Sequence, residues 1–181
     1  VEDNSMYIGN DPSSTTSTAE YNVAIGAAAL DAVTTADKTV AVGYNALSAN
    51  TTGYWNTAIG WNAMVNNTTG GENVALGQAS LDANTTGNSN VALGSYALSS
   101  NTTANINTGI GVGALRDNTT GSGNASVGAL ALLLNTTGTN NTALGYSAGD
   151  AMTTGSNNLL LGKSADASSA SASNQIVVGA S

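Results

Sequence analysis

The sequence predicts an all-β chain, a parallel β-solenoid of the β-roll or β-helix kind built from about ten 17-residue coils. Three observations predict it. Gly9, Gly26, Gly43, Gly60, Gly77, Gly94, Gly111, Gly128, Gly145, Gly162 and Gly179 follow one another at intervals of 17 residues without a slip. The residue before each of these glycines is always Ile, Leu or Val, from Ile8 and Ile25 through Ile59 and Leu76 to Val178. The composition lacks the material of an ordinary globular core: among 181 residues there is no Phe, no Cys, no His and one Pro.

The unit is clearest at 73–89, NVALGQASLDANTTGNS. Its apolar segments run four or five residues between Gly and Asn, too short for a helix of about ten residues and normal for a strand. Four residues after the glycine stands a second large apolar residue: Leu30, Leu47, Met64, Leu81, Leu98, Leu115 or Leu132. This position and the one before the glycine are the expected interior ladders. Coils stacked about 4.8 Å apart place residue i over i+17, so ten coils make a rod roughly 48 Å long. The glycine suits a corner of positive φ or close backbone approach, and the Asn of Asn-Thr-Thr-Gly suits a turn. Residues 1–20 read as a degenerate first repeat, 21–162 as the regular solenoid, and 163–181 as a degenerate last repeat leading into a further part of a longer chain.

Strand side chains alternate between faces. With Ile59 assigned inward, Ala58 and its equivalents Ala24, Ala41, Ala75, Ala92 and Ala143 are assigned outward. A second apolar face of small residues predicts close packing between neighbouring chains. The expectation is a parallel homotrimer with Ala58, Ala75 and Ala92 near the contact.

Charge and composition exclude several functions. Three basic residues, Lys38, Arg116 and Lys163, against eleven acidic ones give a formal charge of −8, which disfavours nucleic acid and anionic membranes as partners. The longest apolar run, 129–134, is far short of the ~20 residues that span a bilayer, and no signal segment opens the chain. Few charged residues, 8% of the chain, together with abundant hydroxyls and amides predict an extracellular setting. No enzyme is predicted: a nucleophile would have neither His nor Cys as its base, and no basic residue recurs in register with a carboxylate. Asp31 and Asp82 occupy equivalent offsets but lie three coils apart, roughly 14 Å, too far for a sugar-cleaving pair. The acids form no ladder and the calcium-binding nonapeptide is absent, so no metal and no cofactor are expected. Triplets such as Asn50-Thr51-Thr52 match glycosylation acceptors, but they coincide with the turn of every unit and have a structural explanation.

The segment Asn56-Thr57-Ala58-Ile59-Gly60 and its copies resemble the Asn-Ser-Val-Ala-Ile-Gly repeat of trimeric autotransporter adhesin heads, a family of trimeric left-handed parallel β-rolls. The 17-residue period is longer than is typical there. The added turn, as in Asn84-Thr85-Thr86-Gly87, is closer to repeats in tail fibres of marine and environmental bacteriophages. The resemblance covers about residues 4 to 179 and implies a fibre segment of a phage tail, extracellular and part of the virion, that mediates attachment to a host surface. The alternative it leaves open is a bacterial trimeric surface adhesin. Residues 164–179, SADASSASASNQIVVG, resemble segments upstream of the self-cleaving chaperone domain of some phage fibres. A further alternative is an ice-binding solenoid, but adjacent threonines such as Thr85 and Thr86 point to opposite faces and cannot share one flat array.

Aromatic residues break the small-residue pattern at one place. Tyr44 and Trp61 share an offset in successive coils, and Tyr54 and Trp55 lie on the turn into the same strand. With Asn45 and Asn62 beside them they form the candidate contact for a host-surface glycan, apolar ring faces flanked by amides.

Overall fold

A computed structural model describes residues 4–9 and 18–179; the remainder of the first repeat and the last two residues lie outside the described residues. The described elements are eleven three-residue strands: β1 (Met6–Ile8), β2 (Val23–Ile25), β3 (Val40–Val42), β4 (Thr57–Ile59), β5 (Val74–Leu76), β6 (Val91–Leu93), β7 (Thr108–Ile110), β8 (Ala125–Val127), β9 (Thr142–Leu144), β10 (Leu159–Leu161) and β11 (Ile176–Val178). They form one parallel sheet in chain order, each strand paired only with its neighbours in sequence. The register is 17 residues throughout, as where Ala58 pairs with Ala75 and Ile59 with Leu76. This is the parallel β-solenoid that the glycine period predicts.

Between strands the chain turns back through bends whose backbone groups also bond the next coil. Leu47 donates its N–H to the Ala63 carbonyl at 3.0 Å and Thr85 to the Thr102 carbonyl at 2.9 Å. Sharp direction changes recur at fixed offsets. The repeat glycines have φ between 91° and 148°, and the buried leucine column, from Leu30 to Leu132 with Met64, has φ between 50° and 54°. A left-handed leucine carries a strain of about 1 kcal/mol or more. Burial of the same side chain returns about 1.5–3 kcal/mol, and the column is wholly buried.

The interior reverses one sequence expectation. Ala24, Ala41, Ala58, Ala75, Ala92 and Ala143 point inward and are buried, whereas the residues before the repeat glycines point outward. Ile59 is 37% exposed and Leu76 is 49% exposed. Ile8, Ile25, Val42, Ile59, Leu76, Leu93, Ile110, Val127, Leu144, Leu161 and Val178 are therefore no interior ladder, and Ala58, Ala75 and Ala92 cannot meet a neighbouring chain. The reason is the thinness of the coil. Each leucine of the inner column packs against the middle of the strand that follows it, and the gap admits little more than a methyl group. At Gly109, which holds the alanine position of β7, a Cβ would sit 3.3 Å from Leu98 Cγ. The expected interior role of Leu30 through Leu132 holds, with all seven fully buried.

Two columns of buried asparagines complete the core. In the first, Asn56 Oδ1 accepts the Asn73 N–H of the next coil at 3.0 Å while Asn56 Nδ2 donates to the Gly70 carbonyl at 2.7 Å. In the second, Asn67 Nδ2 donates both to Asn50 Oδ1 at 2.8 Å and to that same Gly70 carbonyl at 2.9 Å. The pattern repeats along both columns, so the Asn-Thr-Thr-Gly turns from Gly70 onward direct one carbonyl inward and meet it with two amide donors, while Gly53, with Thr39 in the first column, has the Asn50 amide. Buried polar groups are tolerated because they are bonded in this way.

Candidate binding surface

The outer face of the sheet is the most unusual surface of the molecule. Period-two alternation turns the first and third residues of every strand outward on the two sides of the buried middle residue. In β2 to β6 these outward pairs are Val23 and Ile25, Val40 and Val42, Thr57 and Ile59, Val74 and Leu76, and Val91 and Leu93. The strip carries no charged side chain along its eleven strands. Its exposed members include Ile25, Ile59, Leu76, Ile110, Val127 and Leu144. A continuous apolar strip of this length exceeds the scattered apolar residues of a typical soluble surface. Its signal lay in the sequence: the two flanking columns carry large or branched residues, while the middle one carries mainly alanine.

The aromatic candidates divide into two groups. Tyr44 and Trp61 leave the sheet just after their glycines, in vertically adjacent coils, and both are about half exposed. The Asn62 N–H donates to the Tyr44 carbonyl at 3.0 Å, and Asn62 Oδ1 is buried with no hydrogen-bond partner. Asn45 and Asn62 both occupy left-handed corners, with φ of 56° and 55°. Tyr54 and Trp55 lie at the other edge of β4, before the strand. Their ring centroids are 5.1 Å apart and their planes cross at 84°. Trp55 and Trp61 stand on either side of the three-residue strand β4, with positive-φ backbone at Trp55 and Gly60 (φ of 55° and 141°) turning the chain at its two ends. The six residues thus form two patches flanking the sheet face.

The Tyr54–Trp55 pair has neighbours that its place in the sequence concealed. Lys38 stands one coil away in the Trp55 column and holds Nζ 6.0 Å from the indole centroid. In the other direction the column continues with Glu72, whose carboxylate accepts from Ser89 Oγ at 3.3 Å. Adding 17 to a residue number finds each of these neighbours.

The threonines separate as their adjacency predicts. Thr85 donates its hydroxyl to the Thr102 carbonyl at 3.1 Å, whereas Thr86 is exposed. The asparagines of the Asn-Thr-Thr triplets, Asn50, Asn67, Asn84, Asn101, Asn118 and Asn135, are fully buried, so these acceptor triplets are inaccessible in the folded chain. Burial raises the Asp82 carboxyl above its ordinary value; hydrogen bonds from the backbone N–H groups of Asp82 and Ala83 oppose this only partly. Asp166 is also raised, by burial first and by the neighbouring Asp150 second. Among the described residues no group of three or more acidic, His or Cys side chains is placed to hold a metal, and no helix is long and apolar enough to cross a membrane. No family model, no curated protein and no solved structure matches this chain.

Proposed function

We propose that this chain is a segment of a homotrimeric attachment fibre, a phage tail-fibre shaft whose outer surface contacts the host. The observation that carries this reading is the uncharged outer face of the sheet, whose third-residue column is Ile, Leu or Val in every strand. Three copies turning that face toward a common axis remove the strip from water along the whole rod. Three-residue strands make the face about 10 Å wide, and ten coil steps give about 48 Å of length. The resulting area of roughly 500 Å² per chain is below the ~800 Å² each partner contributes to a standard stable interface, so the turns beside the sheet must share the contact. The face is lined mainly by Ile, Leu and Val, with Thr57, Thr108 and Thr142 among its outward residues, and replaces the alanine column as the ground for association. Resemblance of the Asn-Thr-Thr-Gly unit to phage fibre repeats supports the virion setting.

Light scattering of the purified chain tests the assembly. Three chains per particle are expected, with Leu76→Lys plus Leu93→Lys retaining β circular dichroism and falling to single chains. A wild-type monomer at micromolar concentration refutes the trimer. Antibodies raised against the segment are expected to decorate virion tails and block adsorption; labelling of a bacterial envelope instead would assign it to an adhesin.

A further inference from the structure

We infer that the corner formed by Tyr54 and Trp55 is a binding site for a neutral pyranose, with Trp55 as the platform and Glu72 as the hydrogen-bonding group. The inference rests on the fibre reading only for its biological use; the site itself stands on four observations. The two rings are exposed by 45% and 53%, well above what a ring covered by its own chain retains. Their planes cross at 84°, so one ring presents a face and the other a wall, an inside corner rather than a flat patch. The corner is held in place. The Trp55 N–H donates to the Asp37 carbonyl at 3.1 Å and the Glu72 N–H to the Tyr54 carbonyl at 2.9 Å. The phenol packs against Gly71 of the next coil, where a Cβ would lie in ordinary contact, 3.5 Å from Tyr54 Cζ. Glu72, one coil step of about 4.8 Å from Trp55 in the same column, is exposed, and its carboxylate is held at that level by the Ser89 hydroxyl of the following coil at 3.3 Å.

The chemistry of these groups selects the ligand. The apolar C–H face of a pyranose stacks on an indole, and its hydroxyls donate to a carboxylate in charge-assisted hydrogen bonds. Local charge decides between neutral and acidic sugars. Glu20, Asp37 and Glu72 stand in the two columns of this corner against the single ammonium of Lys38, so a carboxylated or sulfated sugar meets net repulsion. A cationic ligand at the indole meets the like charge of Lys38 Nζ, 6.0 Å from the ring centroid, whereas a neutral sugar does not. The Tyr44–Trp61 patch has no carboxylate in its two columns over the neighbouring coils, where Ala27, Ala28, Asn45, Asn62, Gln78 and Ala79 stand. It serves as the internal control.

The test is saturation-transfer NMR with tryptophan fluorescence on the folded full chain. The probes are the methyl glycosides of glucose, galactose and mannose, methyl galacturonate glycoside as its free acid, and choline. At least one neutral glycoside is expected to bind in the millimolar range, with the galacturonic acid and choline at least tenfold weaker. Trp55→Ala and Glu72→Gln should each weaken binding tenfold or more, and Trp61→Ala should leave it within twofold. Absence of saturation transfer from every neutral glycoside overturns the proposal. So does equal or tighter binding of the acid or of choline, or an equal loss in Trp61→Ala. Oligomeric state and virion labelling are read separately, so sugar binding by a chain that is not a fibre would sink the fibre reading and leave the site standing.

Discussion

Leu160 fills the space that Gly149 leaves: a Cβ on Gly149 would lie 2.5 Å from Leu160 Cδ1 and 2.9 Å from Leu132 Cδ2. Both residues depart from the majority of their columns, Gly149 where most coils carry leucine and Leu160 where most carry alanine. They belong to one coil, and the large and small partners have exchanged sides while the enclosed volume is kept. Cores tolerate exchanges that conserve volume far better than single changes of size.

A double-mutant cycle measures this exchange. Gly149→Leu alone should overpack the coil by about 1–3 kcal/mol, and Leu160→Ala alone should leave a cavity worth about 2–5 kcal/mol. The double variant restores the arrangement of the other coils, so its loss should be smaller than either single loss. Additive losses in urea titrations would show that the two positions do not share a space.

The glycine column carries a second, separable constraint. Gly94 has φ of 134°, and a Cβ there would lie 2.6 Å from the carbonyl carbon and oxygen of Gly111 in the next coil. Gly94→Val is expected to lower the melting temperature sharply, with at least the ~1–3 kcal/mol of strain in a disfavoured backbone region. Ser95→Val, partly exposed and outside the corner, should change it little. Equal melting temperatures would mean that neighbouring coils do not approach closely at this column.

The period, the parallel stacking and the inner leucine column were legible because all three are properties of spacing. The choice between Ile59 and Ala58 for the interior was not, because a ranking by hydrophobicity sends the larger residue inward. Only the distance across the coil, as at Gly109 against Leu98, reverses it. The two aromatic patches were merged for a related reason. Sequence proximity placed Trp55 and Trp61 together, and the extended strand between them sets them at opposite edges of the sheet.

Acid should stabilise this protein through Asp82. Its Oδ1 is buried without a partner, and burial holds the folded-state carboxyl above its ordinary value of 3.8. The folded state therefore binds the proton more readily than the unfolded chain. Stability falls as pH rises from the unfolded value through the folded one, and is recovered on acidification. Asp82→Asn is expected to raise the melting temperature at pH 7, with its advantage over wild type shrinking as pH falls toward 4. Because general charge repulsion relaxes in both proteins, the difference between them isolates Asp82. A variant less stable than wild type at pH 7 would show that the carboxylate is favourably held.

The second asparagine column should be more sensitive in the middle than at its end. Asn101 Nδ2 donates to Asn84 Oδ1 at 3.0 Å and to the Ala104 carbonyl at 3.2 Å, and Asn101 Oδ1 accepts from Asn118 Nδ2 at 3.0 Å. At the end of the column Asn135 Nδ2 donates to Asn118 Oδ1 at 2.8 Å and to the Gly138 carbonyl at 3.1 Å, but its Oδ1 is a buried acceptor without a partner. The next position is held by Met152, which has no donor to offer. Asn101→Leu therefore leaves Asn84 Oδ1 and one N–H of Asn118 Nδ2 unpaired, each worth about 1–3 kcal/mol, while the Ala104 carbonyl keeps its bond from Asn90 Nδ2. Asn135→Leu strands only Asn118 Oδ1, since the Gly138 carbonyl keeps its bond from Asn124 Nδ2, and it removes an acceptor that was already unpaired. The expected order in urea titrations is a loss for Asn101→Leu that exceeds that for Asn135→Leu by at least about 1 kcal/mol. Circular dichroism of both variants checks that the β signal survives. Equal losses, or a larger one at Asn135, would mean that the amides act one coil at a time and the column passes nothing from coil to coil.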